Sequence, residues 1–415
     1  MSWDRIHCPL LIQGAVLILG LVAKGETSHA ADWPHFRGPD HNGISGETTW
    51  RTNWDELPPE PLWRAEVGIG FSAVSVAGGK VLTVGHQSGS DVFTCLDEQS
   101  GRTVWNYRYP SELGAMFYIG GPGSTPSIDV QQNRVYGLGK WGEVFCFDLA
   151  SGKVIWQRHL ATEEGIVVPD WGLNGSPLIS GDTVVLNAGR SGFALDRRSG
   201  TTVWRSEGTE CGYSTPLPFQ QGEESMLIVS SGEGYLGVGR ENGQVRWEIP
   251  WLTRYGVNAA DPIVWRGNVF VSSGYNKGSG LYDLESGRPE LVWRQRRFRA
   301  QQNAPVRVGA FLYGFDGDSA SRAKLKCLRW EDGTIAWEDE TFGYGALSVA
   351  NGFLILIGSD GRLGLAKANS ERFQPVVVSS VLESDCWTVP VLANGRILCR
   401  NSRGSLVSLD VLESN

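Results

Sequence analysis

The chain has 415 residues, 41% hydrophobic and 20% charged, an ordinary globular composition that excludes a disordered or fibrous protein. Its formal net charge of −8 excludes a nucleic-acid partner, because phosphate contacts need a basic face. Its 54 glycines and 17 tryptophans exclude a helical bundle and point to many short strands joined by tight turns.

In chain order, Arg5 precedes an apolar run from Pro9 to Ala23, and a polar stretch follows to Ala30. That order predicts a secretory signal peptide over residues 1–30, with Ser28 and Ala30 as the small residues before a cleavage site after Ala30. Read instead as an anchor, the run is shorter than the ~20 apolar residues a spanning helix needs, and it carries Gln13. Cys8 precedes the run and no cysteine follows it within the leader, so no lipobox is expected. The mature chain is expected to be soluble, not membrane-spanning, and periplasmic or secreted. The leader charges Asp4, Arg5, Lys24 and Glu26 cancel, so the acidic balance survives cleavage.

Residues 31–62 read as an N-terminal strap. "DWPHFRGPDHNGIS", Asp32 to Ser45, holds His35 and His41, six apart and without the helix or strand spacing that presents two ligands to one metal. Trp33 and Phe36 are expected to bury against the barrel side, with Arg37 paired to a backbone group or carboxylate. Catalytic use of the two histidines is the competing reading.

From residue 63 to 415 one unit is copied. "LDEQSGRTVW" returns as "FDLASGKVIW" and "LDRRSGTTVW", and in looser form as "GRENGQVRW", "YDLESGRPELVW" and "RWEDGTIAW". The clean copies place Asp97, Gly101 and Trp105, then Asp148, Gly152 and Trp156, then Asp196, Gly200 and Trp204; Trp63, Trp247, Trp293 and Trp337 continue the series. Alternating apolar runs broken by glycines fill each interval, the pattern of a four-stranded propeller blade. Asp suits the turn amides, Gly the left-handed position of a bulged turn, and Trp the outer strand. Blade openings at Phe71–Ala73, Pro126, Pro177, Pro216, Pro262, Pro305, Ala346–Ser348 and Pro390 predict an all-β, eight-bladed propeller of antiparallel blades. The last unit stops before its outer strand, so the strand around Trp63 is expected to complete it and close the ring.

The repeated D-x-x-[ST]-G-x-x-x-W resembles the tryptophan-docking motif of pyrroloquinoline quinone (PQQ) repeat propellers, over nearly all of residues 63 to 410. Two branches are implied: PQQ-dependent alcohol or sugar dehydrogenases, and the cofactor-free BamB family, a periplasmic component of outer-membrane β-barrel assembly. A quinoprotein implies bound calcium with carboxylate and amide ligands, for which Asn258 and Asp261 stand in place, and a catalytic base, for which Asp261 is the candidate. It also often implies adjacent cysteines, which this chain lacks.

Each segment entering an inner strand carries an aromatic: Phe71, Tyr118, Trp171, Tyr213, Tyr255, Phe298, Tyr344 and Trp387. With Asn174, Asn258, Asp261, Gln301, Gln302, Asn303 and Asp385 they are the candidate channel mouth, fit for a planar cofactor or a sugar, or simply for packing blade tops. Arg294, Arg296, Arg297 and Arg299 could receive an anion or form a solvated edge. "DGDSASR" from Asp316 lacks a calcium loop's distal glutamate. Cys95, Cys146 and Cys327 share one repeat position and should be buried and unbridged, and no bridge between Cys211 and Cys386 is expected. The function expected is a non-catalytic scaffold in the cell envelope with a protein partner and no cofactor. A dehydrogenase using PQQ and calcium, and a glycan-binding propeller, are the alternatives.

Overall fold

A computed structural model describes Met1 and residues 31–206, 210–317 and 323–413. The predicted signal peptide and its cleavage site lie outside the described residues, as does most of "DGDSASR". Eight sheets, each built on four antiparallel strands and one of them extended by a fifth, form eight blades. Blade 1 comprises Ser75–Ala77, Lys80–Gln87, Ser90–Asp97 and Thr103–Pro110. Blades 2 to 7 begin at Ser127–Asp129, Leu178–Ser180, Leu217–Gln221, Ile263–Trp265, Val306–Val308 and Gly345–Ala350. Blade 8 comprises Val391–Ala393, Arg396–Arg400 and Ser405–Asp410, and the strand Glu60–Glu66 is its outermost member. Antiparallel pairing of Glu60–Glu66 with Ser405–Asp410 closes the ring as the sequence predicted. Among the described residues, no helix is long and apolar enough to cross a membrane.

Each blade's burial follows its place. Middle strands such as Lys80–Gln87 and Ser90–Asp97 are buried on both faces, because each sheet is sandwiched between neighbours, and beside their apolar residues they bury Thr83, His86, Asp91 and Thr94. Outer strands such as Thr103–Pro110 alternate, with Trp105 buried and Thr103, Val104 and Asn106 exposed.

The repeat motif fastens one blade to the next. Asp97 accepts bonds from the Ser100 amide and hydroxyl at 2.9 and 2.7 Å, and Asp148 and Asp196 do the same with Ser151 and Ser199. Gly152 then takes a left-handed φ of +71°, and a Cβ there would lie 2.5 Å from the Trp105 ring of the preceding blade. Trp105 Nε1 donates to the Leu149 carbonyl beside it, and Trp63, Trp156, Trp204, Trp293 and Trp337 donate to equivalent carbonyls. Trp247 departs from the series: its Nε1 donates to Gln221 Oε1, and a Cβ on Gly287, the glycine of the next motif, would meet nothing within 4 Å. Cys95, Cys146 and Cys327 lie opposite Trp105, Trp156 and Trp337 in register, and all three are buried and free.

The strap corrects one expectation. Instead of lying along the barrel side, it runs over the innermost strands, whose channel-facing edges carry backbone groups that no fifth strand satisfies. Trp33 and Val76 exchange both backbone bonds on blade 1, and the Ile128 amide of blade 2 donates to Pro34. Ile44–Ser45 adds a parallel strand to Gly345–Ala350 of blade 7, and Ser45 Oγ donates to the Leu392 carbonyl of blade 8. Trp33 is fully buried between the inner strands of blades 1 and 8, whereas Phe36 is only half-buried.

Candidate functional site

Every inner strand runs in the same sense, so the segments that precede them gather on one face. There Phe71 lies between Tyr118 and Trp387, with ring centroids 5.5 and 5.4 Å away, and Trp387 meets Tyr344 at 5.6 Å edge-on. This arc of four spans blades 7, 8, 1 and 2. Trp171 and Tyr213 form a separate pair at 6.0 Å. Two predicted members stand apart from the arc. Tyr255 is exposed and contacts Tyr275 edge-on, and Phe298 is buried in the blade 5 and 6 core against Phe270. Phe298 ends in the core because a large apolar ring gains more from burial than from a wet rim.

The polar residues of the mouth are spent within the protein. Asn174 donates to the Trp171 and Gly172 carbonyls, and Asn303 donates to those of Gly345 and Trp387. Gln301 accepts from the Gly274 amide, Tyr344 donates to Gln302 at 2.6 Å, and Asp385 is ion-paired with Arg403. Asn258 is wholly buried, donates to Ser231 and Trp251 carbonyls, and accepts from Ser273 Oγ at 2.9 Å.

Asp261, the candidate base and metal ligand, is buried and accepts from the Thr215 amide at 2.8 Å. Its other oxygen faces Arg37 Nε of the strap at 4.0 Å. Burial pushes its carboxyl up to about 6, against the opposing pull of Arg37 and the Thr215 amide. Arg37 is itself buried and donates to the Ala304 and Pro305 carbonyls of blade 6 at 3.0 Å each. The strap thus supplies the cation beside the one carboxylate that a calcium would have used. Asn258 and Asp261 do not present a pair of free oxygens, so these residues do not fit calcium ligation, and no step through a quinone is derived from them. No cluster of three or more His, Cys, Asp or Glu fit for a metal occurs among the described residues.

The strap brings its two histidines together despite their spacing. Left-handed φ at Arg37, Gly38, His41 and Gly43 coils residues 35–43 into a tight turn, and the rings of His35 and His41 stack at 4.1 Å and 11°. Burial lowers His35 to about 4 and His41 to about 3, the latter aided by repulsion from His35. Both are neutral at ordinary pH and pack as flat rings beside Arg37. A coiled turn has no fixed period, so residues six apart meet here ring on ring.

Around the mouth, sequence reading missed three features. Lys140 is buried at a turn of blade 2, where its Nζ donates to the Leu113 and Gly114 carbonyls and to Tyr118 Oη, and burial lowers it to about 8. It ties down the loop "GAMFYIGG", at whose tip Phe117 is 99% exposed with a left-handed φ of +63°. On the same face Met116, Val167, Leu252 and Tyr255 are also exposed. Beside Val167 lies a depression of about 290 Å³ lined also by Arg190, Glu210, Ser231, Gly232 and Glu233. None of this has a sequence signal, since exposed and buried apolar residues in a glycine-rich loop look alike. The predicted basic edge is neutralised only in part: Arg299 and Lys326 pair with Asp316 and Arg297 pairs with Glu338, while Arg294 lies over the Trp251 ring and Arg296 is exposed. Cys211, Cys386 and Cys399 are buried and free.

Against known proteins, the family described as outer membrane protein assembly factor BamB matches residues 40–123 and 120–339. The BamB of Escherichia coli strain K12 is 24% identical over 362 residues, covering 74% of this chain and 88% of its own length. The crystal structure of BamB from Moraxella catarrhalis superposes with a TM-score of 0.64 at 15% identity, covering 85% of this chain and 99% of that one. Quinohemoprotein alcohol dehydrogenase ADHIIG from Pseudomonas putida HK5 superposes with a TM-score of 0.67 at 11% identity, covering 93% and 81%. At those identities the structural likenesses speak for the fold alone.

Proposed function

The chain belongs to the family of outer membrane protein assembly factor BamB, and from that premise we propose that it works as a non-catalytic scaffold of the cell envelope, docking a protein partner on its channel-mouth face. The observation that carries this reading is the strap. Arg37 enters the channel and stands beside Asp261, and the mouth's amides are bonded to protein backbone, so the place where a propeller enzyme would hold a cofactor serves cohesion instead. The same face carries exposed apolar side chains on loops, foremost Phe117 and Leu252, the composition of a docking surface rather than of a pocket. The chain is read as exported and periplasmic or secreted.

Two measurements test this. Photo-crosslinking from position 117 in intact envelopes should trap a discrete protein adduct that is absent when the crosslinker is placed at the outer-strand position 104. Titration of the purified protein with PQQ and Ca²⁺ should leave tryptophan fluorescence unchanged at micromolar PQQ, with no dye-coupled oxidation of alcohols or sugars. Saturable quenching with turnover would replace the scaffold by a quinoprotein.

A further inference from the structure

We propose that the peptide bond after Ala30 is a processing site and that the α-ammonium released on Ala31 docks onto the buried carboxylate of Glu47, completing the attachment of the strap. The Ala31 nitrogen lies 2.9 Å from Glu47 Oε1, and Glu47 is 2% exposed. Among the described residues no Lys, Arg or His is ion-paired with Glu47; besides Ala31, its Oε1 faces only the Gly395 amide, at 3.3 Å. A buried carboxylate held by neutral amides alone is poorly compensated, whereas an ammonium with three donors offsets its desolvation.

The seat around this nitrogen is built. A Cβ on Gly46 would approach the Ala31 methyl to 3.3 Å, so glycine leaves room for it. Asp32 accepts from Asn394 Nδ2 at 3.2 Å and faces the Gly78 amide at 3.4 Å, and Trp33 follows with two backbone bonds to blade 1. Glu98 and Arg396 complete the charged surroundings: Asn394 also donates to Glu98, whose carboxylate is 3.7 Å from Arg396. Ala31, Asp32 and Trp33 are thus each tied to the strap or to blades 1 and 8. Independently, the small residues Ser28 and Ala30 put the cleavage after residue 30. Two unrelated observations fall on one bond.

The step is a hydrolysis by a leader peptidase. Water adds to the Ala30 carbonyl carbon, the C–N bond to Ala31 breaks, Ala30 leaves as a carboxylate, and the Ala31 nitrogen takes up protons to become the ammonium. Before cleavage the Ala31 nitrogen is a neutral amide, and cleavage turns it into a cation against Glu47, so the strap that carries Arg37 into the channel gains this attachment when the leader leaves. This inference rests on the leader and the strap, and it stands or falls separately from the scaffold reading.

The full chain, expressed with its leader in a secreting host, should yield a mature protein whose N-terminal residue by sequencing and intact mass is Ala31. Protein starting at Ala31 should melt about 2–4 °C above the same protein carrying one extra N-terminal glycine, and Glu47→Gln should abolish most of that difference. The advantage should be complete below the ordinary α-amino range of about 7.7–8.0 and fade as pH rises beyond it, because the ammonium holds its proton more tightly in the folded state. If Glu47→Gln fails to fold, acetylating Ala31 with Glu47 intact provides the same comparison. A mature N-terminus elsewhere, or an equal effect of the extra glycine in the wild-type and Glu47→Gln proteins, would overturn the proposal.

Discussion

Replacing Arg37 by alanine tests the account of the channel most directly. The substitution removes two buried charge-assisted bonds to the Ala304 and Pro305 carbonyls and leaves Asp261 without its cation. Such bonds contribute about 1.5–3 kcal/mol each, and breaking a buried ion pair costs about 3–5 kcal/mol. The terms overlap, and Asp261 can escape by taking up a proton, so the expected loss at pH 8 is about 3–5 kcal/mol in all. With Arg37 present, burial already moves the Asp261 carboxyl from 3.8 to about 6, so its charged form burdens the native state by about 3 kcal/mol at neutral pH. Without Arg37 it rises further. A carboxyl that binds its proton more tightly in the folded than in the unfolded state makes folding more favourable as pH falls through the folded value. The Arg37→Ala defect should therefore be largest at pH 8 and shrink by pH 5. Asp261→Asn, which keeps an oxygen for the Thr215 amide, should recover much of it at pH 8. Urea unfolding followed by tryptophan fluorescence at both pH values, for wild type and the single and double variants, measures this. Equal losses at pH 5 and pH 8, unrelieved by Asp261→Asn, would refute the ion-pair argument.

Further outcomes follow from the packing. Gly152→Ala sets a Cβ 2.5 Å from the Trp105 ring at a left-handed φ and should cost about 2–4 kcal/mol, whereas Gly287→Ala, with nothing within 4 Å, should cost only the strain of about 1–2 kcal/mol; urea midpoints distinguish them. Arg400 is wholly buried and donates to Ser72, Val84 and Gly68 carbonyls and to Thr83 Oγ1, clasping blades 8 and 1, so Arg400→Met should cost at least about 3 kcal/mol and speed amide exchange in both blades. Lys140→Met should free the loop 113–118 and speed proteolytic nicking at Phe117 with little change in the melting temperature. Phe117→Ser should leave stability within about 0.5 kcal/mol of wild type, as expected for an exposed position, while weakening capture of an envelope partner.

Much of the architecture was legible because propeller blades are local. The Asp–Gly–Trp motif codes a turn, a left-handed residue and an outer-strand anchor within ten residues, so its copies reveal the repeat, the eight blade openings count the blades, and a last unit without an outer strand implies closure by Trp63. The mouth was legible only as a set of candidates. Position before an inner strand brings Phe71, Tyr118, Tyr344 and Trp387 together, but the same position in other blades sends Phe298 into the core and Tyr255 into solvent. Repeat position specifies where a residue starts, and neighbour volume decides where its ring goes.

What the sequence by itself determined is therefore the periodic part: all-β blades, eight of them, which rest on contacts a few residues or one repeat apart, and a ring closed by its own N-terminal strand, because the last unit lacks an outer strand that only the strand around Trp63 supplies. The tertiary structure alone decided that the strap fills the channel side, that Arg37 meets Asp261 from far along the chain, that His35 and His41 stack, and that Glu47 waits beside Ala31. Those contacts join segments with no common period, and only the closed ring, whose unpaired inner edges the strap satisfies, brings them within reach.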